Sequence, residues 1–190
     1  MNHNFYNVVE AFVFNSFRNV QKEREIKHFV RTVFWIKQIY PKADEAVLIS
    51  AISHDIERAF RTEDMYIKEK KNGYTDTEFY RLHEERGAEI ISDFLKKNGA
   101  TELLIQKVHS LVLKHEEGGT EEQDALKDAD SISFLENNAD YLIESKIQLV
   151  GTEIIRSKID WMYTRIYSER AKNIATPFYE QAINKLKYYD

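Results

Sequence analysis

Apolar residues recur at spacings of three and four positions along most of the chain. In the segment "EREIKHFVRTVFWIKQIY" these positions are Ile26, Phe29, Val30, Val33, Phe34 and Ile36. This spacing places their side chains on one face of an α-helix, and Pro41 closes the segment. Strands bounded by clusters of turn residues are hard to find in the sequence. The pattern therefore predicts an all-α fold.

The same periodicity predicts further helices. Their approximate ranges are 43–59, 75–97, 101–115, 121–138 and 147–167, followed by a last helix that Pro177 opens. Asn98-Gly99 is predicted to form a left-handed cap on the helix before it. Residues 61–75 are polar and contain the turn signal Asn72-Gly73, so they are predicted to form a charged excursion from the helical core. One role for this segment is a lid over a binding site.

Composition favours a single folded domain over residues 1–190. Hydrophobic residues make up 43% and charged residues 31% of the chain, with 11 Phe and 11 Tyr, which is typical of a globular protein. Only 2 Pro and 6 Gly interrupt the helical pattern. Since the sequence contains no internal repeat, low-complexity tract or linker, we expect one domain.

Several classes of protein are disfavoured. The chain has no Cys, which excludes a disulfide framework, a thiolate zinc site and a thiol nucleophile. A net charge of -5 without a long basic run argues against a protein that coats nucleic acid. No apolar stretch is long enough to span a membrane, and residues 1–20 lack a signal-peptide pattern. We therefore expect a cytoplasmic protein with no membrane partner.

Six ionisable residues interrupt or end the apolar faces of the predicted helices. They are His28, His54, Asp55, His83, His115 and Asp130. Imidazole and carboxylate are the ligands that divalent metals use when no thiolate is present. Any one of these residues alone is explained by a hydrogen-bonded structural role, as we expect for His3 and His109. The six in order, distributed over separate predicted helices, favour a metal site.

This ordered set resembles the HD-domain superfamily of metal-dependent phosphohydrolases. The segment "AVLISAISHDIER" is similar to the family's signature helix that ends in His-Asp, and "HEERGAEII" is similar to the histidine-containing helix that often follows. The segments "LVLKH" and "LKDADSISFLE" resemble the later histidine and the Ala-Asp metal motif. Because the second aspartate of "DAD" matches that motif, the resemblance points to Asp130 rather than Asp128.

The resemblance implies a single-domain helical bundle of the HD type. It implies a motif-bearing core at about 20–136, with C-terminal helices at 140–190 packed on it. It also implies a divalent metal ion, with Mn, Fe, Mg, Ni, Co and Zn not distinguished, held by His28, His54, Asp55 and Asp130. Catalytic roles are implied for Asp55, Arg58, His83 and His115. The two histidines would bind a second metal ion or the phosphate.

The implied function is hydrolysis of a nucleotide or another small phosphate ester through a metal-activated water. Glu57 and Arg58 stand where many catalytic members carry Gly and Lys. Arg58 keeps a cation there, whereas Glu57 adds negative charge near the phosphate unless it faces solvent. The segment "KHEEGGTEEQDAL" lacks the Gly-Tyr-Pro element of the cyclic-dinucleotide hydrolases, which disfavours that subgroup.

Two alternatives stay open. The first is a di-iron oxidase of the same superfamily, which would need His83 and His115 for its second iron. The second is a binding module that retains the metal without catalysis. The identity of the substrate and the oligomeric state are not specified by the sequence.

Overall fold

Nine α-helices and one short 3₁₀-helix make up most of the chain in the computed structural model, which describes residues 4–62 and 77–189. The 3₁₀-helix spans Ile56–Ala59. No strand occurs in the described residues, so the predicted all-α domain is confirmed. The α-helices are α1 (Phe5–Asn19), α2 (Arg24–Ile39), α3 (Glu45–Ser53), α4 (Thr77–Lys97), α5 (Glu102–Val112), α6 (Glu121–Asn137), α7 (Ala139–Val150), α8 (Thr152–Thr164) and α9 (Glu169–Leu186).

Polar side chains and glycine define the ends of several helices. Asp44 accepts a hydrogen bond from the Val47 N–H at the start of α3. Thr120 and Gln123 form a capping box at the start of α6. Gly99 has a φ of 79° just after α4, which is the left-handed cap that the sequence predicts.

The helix predicted at 43–59 is α-helical only as far as Ser53. Asp55 has a φ of -96° and a ψ of 16°, between the α and β regions, and the chain then tightens into the 3₁₀-helix. Apolar spacing over a single turn does not distinguish the two kinds of helix. The helix predicted at 101–115 likewise ends at Val112, so His115 lies in the turn after it.

The C-terminal region differs more from the prediction. The helix predicted at 147–167 is two helices, because Gly151 adopts a φ of 85° between α7 and α8. The prediction that Pro177 opens the last helix is wrong, since Pro177 lies inside α9. Ser168 caps that helix by accepting a hydrogen bond from the Ala171 N–H. The sequence interpretation also omitted α1, and most of the charged excursion predicted at 61–75 lies outside the described residues.

The central pair of helices is α2 and α6, which pack against each other. On α2, Phe29, Val33 and Ile36 are buried, as the apolar spacing predicts. Val30 and Phe34 belong to the same predicted face but are 44% and 40% exposed. The buried face of α2 is therefore narrower than the apolar pattern.

Buried apolar side chains form two clusters. The first contains residues from α1 to the first half of α6, and the second contains residues from the end of α6 to α9. Trp35 and Ile39 of α2 contact both clusters, so α2 and α6 join the two parts of the domain. Among the residues described, no helix has the length and hydropathy that crossing a lipid bilayer requires.

Gly87 allows α4 to lie close to the turn that carries His54. A Cβ atom at this position would lie 3.4 Å from the His54 carbonyl oxygen and 3.5 Å from a methyl group of Val112. A glycine leaves this space to the neighbouring backbone. His83, about one turn earlier on α4, consequently reaches the residues of that turn.

Candidate metal centre

Six buried ionisable side chains converge where α2 to α6 meet. Each is at most 5% exposed, and together with Arg58 they are the residues for which the sequence predicts metal-binding or catalytic roles: His28, His54, Asp55, His83, His115 and Asp130. Helices α2, α4 and α6 each supply one of them, the turn after α3 supplies two, and the turn after α5 supplies one. Buried charges of this kind are costly unless they are paired or coordinate a metal.

Two histidines face one carboxylate in the first part of the centre. Asp130 Oδ1 lies 3.0 Å from His28 Nε2 and 3.3 Å from His54 Nε2. Asp55 Oδ2 lies 3.8 Å from His54 Nε2. The potential ligand atoms of His28, His54 and Asp55 all lie within 4.8 Å of one another, which makes this triplet a candidate metal-binding group.

A second triplet shares Asp55 with the first. It consists of Asp55, His83 and His115, whose potential ligand atoms also lie within 4.8 Å of one another. The His115 ring centre lies 5.3 Å from that of His54 and 5.5 Å from that of His83. The two triplets therefore form one continuous cluster.

Hydrogen bonds that Nδ1–H donates assign the tautomers of three of these histidines. His54 Nδ1–H donates to the Ala51 carbonyl at 3.0 Å, and His115 Nδ1–H donates to the Val112 carbonyl at 2.7 Å. Ser133 Oγ donates to the His28 carbonyl, so it accepts from His28 Nδ1–H at 2.9 Å. In neutral histidine the other ring nitrogen then carries a lone pair. All three rings thus present Nε2 as a ligand atom.

These Nε2 lone pairs point at carboxylate oxygens rather than at donors. His54 Nε2 and His115 Nε2 are buried and make no hydrogen bond. His28 Nε2 and Asp130 Oδ1 lie 3.0 Å apart, so a proton or a metal ion between them makes the contact favourable. The donor set therefore fits a divalent metal ion, because neutral imidazole and carboxylate are its ordinary ligands.

His83 has a different environment, because both of its ring nitrogens face carboxylates. Nε2 lies 2.9 Å from Asp55 Oδ1, and Nδ1 lies 2.8 Å from Glu57 Oε2. Burial lowers the pKa of His83, but these two hydrogen bonds outweigh it and raise the pKa to about 9. A carboxylate on the far nitrogen is also the arrangement that orients metal-binding histidines.

The sequence left open whether Glu57 adds negative charge near the phosphate or faces solvent. In the structure it does neither. It is fully buried and faces His83 and Arg61, whose Nη2 lies 2.7 Å from Glu57 Oε2. Burial raises the pKa of Glu57, but the hydrogen bonds from His83 and Arg61 lower it to about 2. Its charge is therefore neutralised inside the protein.

Arg58 and Arg165 hold the two aspartates of the centre. Arg58 Nε lies 2.9 Å from Asp55 Oδ2. Arg165 forms ion pairs with both Asp130 and Glu116 and is 7% exposed in its side chain. The Arg165 guanidinium is therefore buried beside the centre.

The electrostatic environment favours a positive charge among these groups. Burial raises the pKa of Asp55, but Arg58 and His54 hold it well below the ordinary range. Burial likewise raises the pKa of Asp130, but Arg165 and His54 hold it well below the ordinary range. Burial lowers the pKa of His54, but Asp130 and Asp55 outweigh it and raise that pKa. Burial dominates at His115 and lowers its pKa to about 4, so this ring is neutral at pH 7.

A cavity of about 220 Å³ opens onto the centre. Among the described residues that line it, the positively charged side chains are Arg24, Arg58, Lys146 and Lys158. The negatively charged ones are Glu25, Asp55, Glu116 and Asp130. The apolar and aromatic part of the wall includes Phe79, Tyr80, Phe134, Tyr141, Leu142 and Met162. The lining is thus balanced in charge before any cation binds.

Four side chains that contact the centre or line its cavity were not among the predicted site residues: Glu116, Ser133, Lys158 and Arg165. Glu116 directly follows His115, and its proximity to a candidate histidine was an available signal. Ser133 contacts His28 across 105 positions of sequence. A serine in an apolar helix, or a lysine among aromatic residues, has no distinctive sequence pattern.

Replacing Ser133 with alanine is expected to weaken metal binding by roughly 10- to 100-fold, because Ser133 fixes the tautomer and orientation of His28. Titration of the metal-free protein with metal measures the affinity. Ser50 is a matched buried serine, which donates to the Ala46 carbonyl of its own helix and, among the described residues, contacts no candidate metal ligand through a hydrogen bond. An Ser50→Ala variant with an equal loss of affinity would contradict the role of Ser133.

Comparison with known proteins places the chain in a family. No curated protein and no solved structure matched it. The sequence model that does match is described as "Domain of unknown function (DUF4202)" and covers residues 14–181, which include all six residues of the candidate metal centre. This match carries no assignment to the HD-domain superfamily. Because it spans α2 to α8 completely, the chain belongs to the DUF4202 family.

Proposed function

We propose that this protein is a metal-dependent phosphohydrolase of the HD type that acts on a nucleotide or another small phosphate ester. The observation that carries the proposal is the convergence of histidine Nε2 atoms on the carboxylates of Asp55 and Asp130, beside a cavity whose wall includes Arg58 and Lys158. His28, His54, Asp55 and Asp130 would hold the ion. When bound, a divalent ion lowers the pKa of a water ligand to roughly 7 and polarises a phosphoryl oxygen.

The protein groups around the cavity bind and orient the ester. Arg58 lines the cavity and is partly exposed, so its guanidinium is placed to bind phosphoryl oxygens. Phe79, Phe134 and Met162 line another part of the wall and exclude water from the bound ester. In the hydrolysis, a water oxygen bonds to phosphorus, the ester P–O bond breaks, and the leaving oxygen takes up a proton. The products are inorganic phosphate and an alcohol.

A di-iron oxidase is the second candidate function, and the triplet of Asp55, His83 and His115 favours it. Because Asp55 belongs to both triplets, its two oxygens offer ligands to two ions. Arg58 and Lys158 in the cavity wall support the phosphohydrolase more than the oxidase, because an uncharged carbon substrate makes no use of these cations. A module that binds metal without catalysis is the third candidate.

Elemental analysis of protein purified without chelator, followed by assays with the metal found, separates these candidates. We expect a stoichiometric divalent metal and hydrolysis of p-nitrophenyl phosphate or of a member of a nucleotide panel. Metal without hydrolysis but with oxygen consumption would replace the phosphohydrolase by the oxidase. Metal with neither activity would leave the binding module, and a protein that takes up no divalent metal would overturn all three.

A further inference from the structure

Lys158 lies inside the domain, although long cationic side chains are mostly exposed. It is 7% exposed and lines the same cavity as His28, Asp55 and Asp130. Its Nζ donates a hydrogen bond to Tyr80 Oη at 3.1 Å. It comes from α8, whereas the candidate metal ligands come from α2, the turn after α3, and α6.

Aromatic rings surround the Lys158 ammonium group. Nζ lies 4.1 Å from the ring centre of Trp161, 5.3 Å from that of Tyr80 and 5.5 Å from that of Phe134. Rings at these distances attract a cation through their electron-rich faces. They also restrict the movement of the side chain, so the charge is held at one place in the wall of the cavity.

The charge of the cavity indicates what this cation binds. Its described lining carries as many cationic as anionic side chains, and Arg165 pairs with two of the anions, Glu116 and Asp130, so a bound divalent metal ion leaves an excess of positive charge. A phosphate monoester dianion neutralises that excess, whereas a diester carries only one negative charge. A phosphoryl group has several oxygens, so one anion can contact the metal ion and a second cation at the same time.

We propose that Lys158 binds the phosphate of the substrate together with the metal and Arg58, and that it selects monoester dianions over diesters. This inference rests on the proposed function, since it names the substrate class of the same site. Burial lowers the pKa of Lys158, Glu116 raises it, and Arg165 and Arg58 lower it, with a net value of about 7. A bound anion therefore stabilises a charge that its surroundings in the free protein disfavour.

The experiment replaces Lys158 with methionine, which keeps a long apolar stem among the aromatic rings, and with glutamine as a second neutral variant. Inorganic phosphate is the probe, and its binding to the metal-containing protein is measured by calorimetry. We expect the phosphate dissociation constant to rise roughly 10- to 100-fold in both variants, since a hydrogen bond to a charged group is lost. The metal content should not change. The KM for p-nitrophenyl phosphate should rise similarly, and that for bis(p-nitrophenyl) phosphate should change less.

Lys172→Met is the matched control. Lys172 on α9 also packs on an aromatic ring, 3.9 Å from the ring centre of Tyr163, but it does not line the cavity. Phosphate binding should be unchanged in this variant. An equal loss in Lys172→Met, unchanged phosphate binding in both Lys158 variants, or a native protein that binds no phosphate would each overturn the inference. Lys158-dependent phosphate binding without hydrolysis of any ester would support Lys158 as the phosphate ligand and contradict the proposed hydrolase.

Discussion

Replacing Asp130 with asparagine is expected to abolish stoichiometric metal binding and phosphate ester hydrolysis together, while the helical fold survives. Asp130 Oδ1 lies within 3.3 Å of Nε2 of both His28 and His54, so the substitution removes a negative charge from the centre of the candidate ligand set. Loss of a residue that only orients a ligand already weakens metal binding by roughly 10- to 100-fold. Loss of the ligand should exceed that range. Elemental analysis, hydrolysis rates and circular dichroism measure the three effects.

Asp128→Asn is the matched control on the same helix. Asp128 accepts hydrogen bonds from the N–H groups of Tyr167 and Ser168 at the start of α9, at 2.6 and 2.9 Å. Its replacement should lower the free energy of unfolding by about 1–3 kcal/mol and leave the metal content unchanged. An Asp130→Asn protein with full metal content, or an Asp128→Asn protein without metal, would show that the wrong aspartate has been assigned.

Phe29→Ala is expected to have the largest effect on stability, lowering the free energy of unfolding by about 3–5 kcal/mol. Phe29 is fully buried, and its ring centre lies 4.7 Å from that of Phe17 and 5.7 Å from that of His54. In a protein of this length, such a loss lowers the melting temperature by roughly 6–20 °C. Thermal and urea unfolding of the metal-free protein measure it without a contribution from metal binding.

The control for Phe29 is Phe34→Ala, also on α2. Phe34 is 40% exposed, so its removal leaves no closed cavity and should lower the free energy of unfolding by less than about 1 kcal/mol. Both residues belong to the same apolar face predicted from the sequence. Equal losses in the two variants would mean that Phe34 is as deeply packed as Phe29, against the narrow buried face of α2.

Apolar spacing predicted most of the helices because each buries one face against its neighbours. One end was predicted from a local residue, the left-handed cap at Gly99. The break at Gly151 and the 3₁₀-helix after Asp55 were not, because the apolar pattern continues through both. Helix α9 begins after Ser168, whose side chain caps it, and not at Pro177. The capping hydrogen bond therefore determines where this helix begins.

The six ionisable residues of the candidate metal centre could be predicted because each is an unusual residue on an apolar face. The partners that orient or neutralise them could not. Ser133 and Arg165 reach His28 and Asp130 only through the packing of distant helices, at separations of 105 and 35 positions. Glu57 was ambiguous for the same reason, since only the folded chain shows that Arg61 and His83 neutralise it.

The two halves of the cavity come from different parts of the chain. The candidate metal ligands lie between positions 28 and 130, whereas α8 contributes Lys158 and Met162 to the cavity wall. Substitutions at these two positions alter the charge and shape that a substrate meets without touching a metal ligand. Under the proposed function, substitutions in α8 would change substrate preference independently of the residues that would hold the metal.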